Sequence, residues 1–247
     1  MSDRDPPVLT AMPYVEAAFI PGQVGEEQVS EAVVVAIDVL RATTTAVTAL
    51  ANGARAILPV AEPEDGRQTM ATFPPGEALL CGERYGKPLP GFHLGNSPAE
   101  YRPEVVRGKT IILTTTNGTL LLAKCAKAPE VLLGALVNAA AVVEWLEAWK
   151  GDVLLACAGR HGGFSLEDTV CAGLIVSRLG GEWRKGPGAA EALGLYGVYR
   201  RDLRRALWES PHGRYLCDIG LGDDLVDCAA VDRYHLVPRR QGEVFGV

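Results

Sequence analysis

No uninterrupted apolar run in the 247 residues approaches the length of a membrane span. No block of lysine and arginine stands out either, and the net charge is −6, which argues against a nucleic-acid partner. The nearest basic cluster, Arg200-Arg201 with Arg204-Arg205, reads as one solvated helix face. The six cysteines, Cys81, Cys125, Cys157, Cys171, Cys217 and Cys228, form no C-x-x-C pair and have no histidine at zinc-finger spacing. Several sit in apolar runs, as small core residues of a protein kept reduced do. The opening Met-Ser-Asp-Arg-Asp-Pro-Pro lacks the apolar core of a signal peptide, so a cytoplasmic location is expected. What remains is an ordinary globular composition, 48% hydrophobic and 22% charged, with enough chain to bury a sizeable core. It leaves homo-oligomerisation open.

The most informative stretch is residues 33–53. Val33, Val34, Val35 and Ile37 read as a strand covered on both faces. Asp38 and Arg41 stand where that strand should end, Thr43, Thr44 and Thr45 open a helix, and Asn52-Gly53 stops it. Strand ends in open α/β sheets are where ligands bind. Taken alone, the stretch also reads as plain helix capping, with Arg41 paired to Asp38. Recurrence of similar loops further along tips the balance.

In chain order, residues 1–13 read as a loose arm and Tyr14 to Ile20 as an edge strand, so that 1–32 precede the main domain of 33–247. A division of that domain into two α/β subdomains would fall near 130–150. Further strands are expected at Ala56–Val60, Ala78–Cys81, Lys109–Leu113, Val131–Val137 and Asp152–Cys157, with a last one at Tyr234–Val237. Helices are expected over Glu62–Ala71, from Pro98 to about Val106 with Ser97 as cap, over Leu120–Lys127, from Asn138 to Trp149, and from Ser165 to Gly180. Ala189–Glu209, His212–Leu216 and Asp223–Ala230 also have helical composition. The pattern is a layered α/β/α fold with a mixed, largely parallel sheet or pair of sheets.

Polar groups collect at four strand ends: Asp38, Arg41 and Thr43; Glu83 and Arg84; Thr114 to Thr119; and Arg160 with Glu167 and Asp168. Helix N-termini, threonines, Asn117 and arginines suit an oxyanion. Carboxylates beside them make sense if they hold Mg²⁺ or act as acid or base. The set points to metal-assisted phosphoryl chemistry. Familiar phosphate motifs are missing. There is no G-x-x-x-x-G-K-[ST], no G-x-G-x-x-G after a strand, and no cysteine with arginine six positions on. Leu40 stands where a haloacid-dehalogenase-like phosphatase needs its second aspartate, and Arg160-His161-Gly162 lies in mid-chain rather than near the start as in histidine phosphatases.

Several longer strings carry a specific resemblance. Ile37-Asp38-Val39-Leu40-Arg41-Ala42-Thr43-Thr44-Thr45, Gly82-Glu83-Arg84, Leu94-Gly95-Asn96-Ser97-Pro98, Thr114-Thr115-Thr116-Asn117-Gly118-Thr119, Phe164-Ser165-Leu166-Glu167-Asp168 and Ser210-Pro211-His212-Gly213 occur in order between about Val33 and Pro238. Together they resemble the 2-phosphosulfolactate phosphatase (ComB) family. The resemblance implies a ComB-like α/β fold and a Mg²⁺-dependent hydrolase that converts 2-phosphosulfolactate to sulfolactate and phosphate on the route to coenzyme M. Two stretches depart from the family pattern, Tyr85-Gly86-Lys87 and Arg160-His161, and both bear on substrate choice.

On this reading Asp38 and Glu83 are candidate Mg²⁺ ligands, and Glu167 or Asp168 a further ligand or general base. His212 is a candidate general acid. Substrate-binding candidates are Arg41, Thr43, Arg84, Asn96, Thr115, Thr116, Asn117, Gly118 and Thr119. Arg160 or Lys87 would meet the sulfonate. Direct attack by water is the simpler route, with Asp38 or a threonine as nucleophile left open. Two other readings stay beside it: a phosphatase for another small phospho-acid, and a non-catalytic protein that binds a phosphorylated or sulfonated metabolite.

Overall fold

Val33, Val35 and Ile37 pack on one side of a sheet and Val34 and Ala36 on the other. This two-faced burial is what a continuous apolar run dictates, since neighbouring side chains point to opposite faces. The computed structural model describes residues 12–247, so the expected arm at 1–13 lies outside them except for Met12 and Pro13.

In chain order the strands are β1 (Tyr14–Ala18), β2 (Val33–Ile37), β3 (Ala56–Pro59), β4 (Ala78–Arg84), β5 (Lys87–Pro88), β6 (Thr110–Thr114), β7 (Val131–Gly134), β8 (Val153–Cys157), β9 (Arg184–Lys185), β10 (Arg239–Gln241) and β11 (Val244–Gly246). The helices are α1 (Glu26–Glu31), α2 (Ala42–Ala51), α3 (Pro63–Met70), α4 (Pro103–Val106), α5 (Gly118–Lys124), α6 (Ala139–Trp149), α7 (Leu166–Arg178), α8 (Pro187–Tyr199), α9 (Leu203–Glu209), α10 (Pro211–Asp218) and α11 (Asp224–Cys228).

All strands join one 11-stranded sheet in the order β5-β4-β6-β3-β11-β10-β7-β2-β8-β1-β9. Helices α6 to α11 cover one face through Val142, Leu146, Leu174, Ala192, Leu207 and Leu216. Helices α1, α2, α4 and α5 cover the other through Val29, Ala49, Val106 and Leu121. The fold is therefore α/β, with a single mixed, mostly parallel sheet between helical layers. No helix of the described residues is long and apolar enough to cross a membrane.

Two parallel blocks, β4-β6-β3 and β7-β2-β8-β1-β9, are joined by the antiparallel hairpin β10-β11. Three antiparallel junctions in a row make the blocks run in opposite senses along the sheet. Strands twist relative to their neighbours by roughly 20–25° on average, so the path from β4 to β2 accumulates on the order of 120–150°. That rotation brings the carboxyl ends of both blocks round to one side of the molecule.

Several local expectations shift. The edge strand β1 has the short β9 outside it, paired through Tyr14 with Arg184 and Val15 with Lys185. The strand from Val131 stops at Gly134, because Asn138 Oδ1 takes the Ala135 amide and turns the chain into a short 3-10 helix. The helix expected from Pro98 to Val106 is split into a 3-10 turn and α4, with Arg102 extended at ψ 154° ahead of Pro103. The segment 189–209 breaks at Asp202 into α8 and α9. Tyr234–Val237 is not a strand, and the residues after it form the β10-β11 hairpin.

Candidate active site

The ends of β2, β4, β6 and β8 open on one cavity of about 130 Å³. Asp38, Arg41, Glu83, Asn96, Thr115, Thr116, Asn117, Arg160 and His212, all expected from the sequence, line it. Leu40, Tyr85, Gly86, His161 and Tyr215 line it as well.

Asp38 follows β2 directly and is 6% exposed. Its backbone is locked by Thr43, whose Oγ1 accepts the Asp38 amide at 3.0 Å and lies 2.8 Å from the Asp38 and Gly134 carbonyls. Thr43 thus shapes the loop rather than lining the cavity. Burial raises the Asp38 pKa to about 6, with the nearby Glu83 and Glu167 carboxylates adding to the rise, while His212 and the Ala42 amide oppose it. The start of α5 comes so close that a Cβ on Gly118 would sit 2.9 Å from both Asp38 Oδ2 and Ala42 Cβ. Gly118 contributes by its smallness and does not line the cavity. Thr119 turns inward, its Oγ1 donating to the Thr115 carbonyl at 2.7 Å.

Two carboxylates bind loops together. Glu83 accepts the Gly86 amide at 2.6 Å and the Thr116 amide at 2.7 Å, one on each oxygen. Asp168 accepts the Val39 amide at 2.8 Å and the Gly159 amide at 3.2 Å, tying the loop after β2 to the loop after β8. Burial, with Asp38 and Glu167 nearby, pushes the Asp168 carboxyl well above its ordinary range, against the pull of the Val39 amide and Ser165. Asp168 lies beneath the cavity lining.

Glu167 differs. It is 1% exposed, and neither carboxylate oxygen has a hydrogen-bond partner. His212 Nδ1 stands 3.4 Å from its Oε1. His212 itself is held at the start of α10, where Ser210 Oγ accepts the Gly213 amide. Two cavity-lining groups are also buried without partners, Asn96 Oδ1 and Thr116 Oγ1. Buried polar atoms are nearly always satisfied, so an unpaired set at one place marks a site built for a ligand.

The arginines divide. Arg41 lines the cavity while donating to Asp224 Oδ2 at 2.5 Å and to the Gly86 carbonyl at 2.7 Å. Arg160 lines it from the opposite loop, stacked over Tyr215 at 4.9 Å and donating to the Pro211 carbonyl. Arg84 is not brought in. Strand β4 runs on through it, so Glu83 and Arg84 point to opposite faces, and Arg84 donates to the Ala61 and Glu83 carbonyls and Thr114 Oγ1. Lys87 is exposed on β5 and does not line the cavity. Asn117 Oδ1 holds the His161 amide at 3.0 Å. His161 and Tyr85 both carry positive φ, 50° and 53°, in facing loops, a costly conformation that gathers at functional sites.

Carboxylates and arginines that share one cavity with neutral hydroxyls suit the chemistry of α/β enzymes acting on phosphoric monoesters. A profile of the 2-phosphosulpholactate phosphatase family matches residues 18–243, and the chain belongs to that family. A relative from Symbiobacterium thermophilum, named probable 2-phosphosulfolactate phosphatase, is 44% identical over 86% of this chain and 92% of its own length. Relatives of the same name from a Synechococcus strain and from Thermotoga maritima are 44% and 42% identical, over 90% and 85% of this chain and 93% and 90% of their own.

Proposed function

We propose that the protein hydrolyses 2-phosphosulfolactate to sulfolactate and phosphate with Mg²⁺ bound at the Asp38 end of the cavity, a step on the route to coenzyme M. The observation that carries this reading is the cavity's charge: Asp38 and Glu83 face the same space as Arg41 and Arg160. Arg41 is already neutralised by Asp224. A substrate with a phosphate and a second fixed anion would meet too little positive charge without a divalent cation. The donor set suits a hard ion. Asp38 and the unpaired oxygens of Glu167 are carboxylates with capacity to spare, whereas each oxygen of Glu83 already accepts an amide. Among the described residues no ready-made cage of three or more His, Cys, Asp or Glu is present. Mg²⁺ commonly takes one or two carboxylates and completes its shell with water and substrate.

Bound there, Mg²⁺ would neutralise charge on the phosphoryl oxygens. The Arg41 guanidinium and the hydroxyls of Thr115 and Thr116 hold the phosphoryl group, and Arg160 takes the sulfonate. Water attacks phosphorus, the bond to the ester oxygen breaks, and His212 gives that oxygen its proton. With Nδ1 turned to Glu167, Nε2 is the nitrogen free for this transfer. The six cysteines are unpaired, five of them buried, which supports a reducing, cytoplasmic setting.

The test is phosphate release from 2-phosphosulfolactate, phospholactate and a general aryl phosphate, with Mg²⁺ and then with excess EDTA. Mg²⁺-dependent turnover that favours the sulfonated substrate is expected. Equal turnover of phospholactate would move the reading to another phospho-acid. No turnover by the folded, Mg²⁺-loaded protein would leave a binding protein.

A further inference from the structure

Asp224 carries no sequence signal that ties it to the strand-end loops, yet it meets the one fully buried arginine of the cavity. The Arg41 and Asp224 side chains are 2% and 5% exposed. One Arg41 nitrogen donates to Asp224 Oδ2 and the other terminal nitrogen to the Gly86 carbonyl, which fixes the guanidinium plane at two points. The second oxygen of Asp224 accepts the Ser97 hydroxyl. Glu83 then clamps the Gly86 amide, and the Tyr215 hydroxyl donates to the Tyr85 carbonyl. The loop that Arg41 leans on is therefore itself held from two further sides.

We infer that Asp224 is a positioning residue for anion binding: it aims the Arg41 guanidinium so that its remaining N–H groups face the cavity, and it keeps Arg41 from pairing with Asp38 or Glu83. Those two carboxylates are the other partners that the cavity offers. A guanidinium released from Asp224 and turned onto either of them would fill the space meant for the phosphoryl group and cancel the charge meant for the cation. A planar fork with two of its five donors committed is pre-organised for a tetrahedral anion, which a freely rotating one is not. Ser97 and the first turn of α11 belong to the same device, because they hold the carboxylate that holds the arginine.

The inference rests on the reading of the cavity as a phosphate site, and the experiment separates the two. The inhibition constant of inorganic phosphate and the KM and kcat for 2-phosphosulfolactate are measured for wild type, Asp224→Asn, Arg41→Ala and the double variant. Without the Asp224 charge the guanidinium is free to turn onto Asp38 or Glu83, so Asp224→Asn should raise KM and the phosphate constant together by about 10-fold or more, with kcat changed far less. A guanidinium that kept its place would gain net charge and bind phosphate more tightly, which overturns the inference. In the Arg41→Ala background the same substitution should change neither by more than about 2-fold. A phosphate constant unmoved by Asp224→Asn, or moved equally with and without Arg41, overturns the inference. Should Asp224→Asn not fold, Ser97→Ala serves, with a rise of about 3-fold in both constants expected and no rise counting against it. A wild type that neither turns over the ester nor binds phosphate removes both readings, whereas wild-type binding that Asp224→Asn leaves intact removes this one alone.

Discussion

Asp38 is buried at a cost that the folded protein must meet. Its pKa near 6 lies above the ordinary 3.8, so the folded state holds the proton more tightly than the unfolded chain. In EDTA the wild type should therefore lose stability as pH rises from about 4 through 6, by up to about 3 kcal/mol from this group. Asp38→Asn should remove that slope, being the more stable protein at pH 8 and losing its advantage below pH 4, while its phosphatase activity disappears. Denaturant unfolding at the two pH values checks it, and an unchanged slope would count against the assignment. At this scale the sequence discloses residue types well and directions poorly. Reading β4 as ended at Cys81 puts Glu83 and Arg84 in one loop, free to converge. Because the strand continues, its two-residue period sends one into the cavity and the other away. Asp168 follows Glu167 directly and takes backbone amides, while Glu167 keeps both oxygens unpaired. Nothing in the string Leu-Glu-Asp tells them apart.

Among elements, α5 begins in close contact with the site. Its first residue, Gly118, lies where a methyl group would press on Asp38 and Ala42. Gly118→Ala should cost about 1–3 kcal/mol through overpacking. It should lower kcat/KM by more than the stability loss explains, because Asp38 would have to move. Thermal melts beside steady-state kinetics separate the two effects, and a folded variant of normal activity would contradict the close approach. The helices α10 and α11 bring Tyr215 and Asp224 to loops more than a hundred positions earlier in the chain, and His212 to Glu167 at the start of α7. Helix starts such as Ser210-Pro211 are legible from capping chemistry. Which distant loop a short helix packs on is settled by tertiary contacts, and the sequence holds no local trace of it. The stretches holding Tyr85 and His161 stand out in the sequence as bearing on substrate choice, but that these two residues themselves line the cavity is not legible there, for a related reason. Their signal is a positive φ, which only the folded backbone reveals.

Across the whole molecule, the β10-β11 hairpin joins the two parallel blocks, with Phe245 paired to Ile57 and Arg239 to Leu132. Phe245 is 2% exposed. Phe245→Ala should cost about 3–5 kcal/mol and lower Tm by about 10 °C. Activity should fall with it even below the melting range, since Asp38 and Glu83 come from opposite blocks. A variant that melts lower but keeps its kcat/KM at 25 °C would show that the blocks hold their places without the hairpin. The parallel blocks were legible because continuous apolar runs announce buried strands. The hairpin was not, because Arg239, Arg240 and Gln241 look like a solvated tail and find their meaning only between β7 and β3. This placement also orders events during synthesis. Both blocks can leave the ribosome before residues 239–246 exist, each with an open edge and only part of the cavity lining. The cavity becomes whole only when these two strands are threaded into the middle of the sheet, so a nascent chain carries no complete cavity until residues 239–246 have been made.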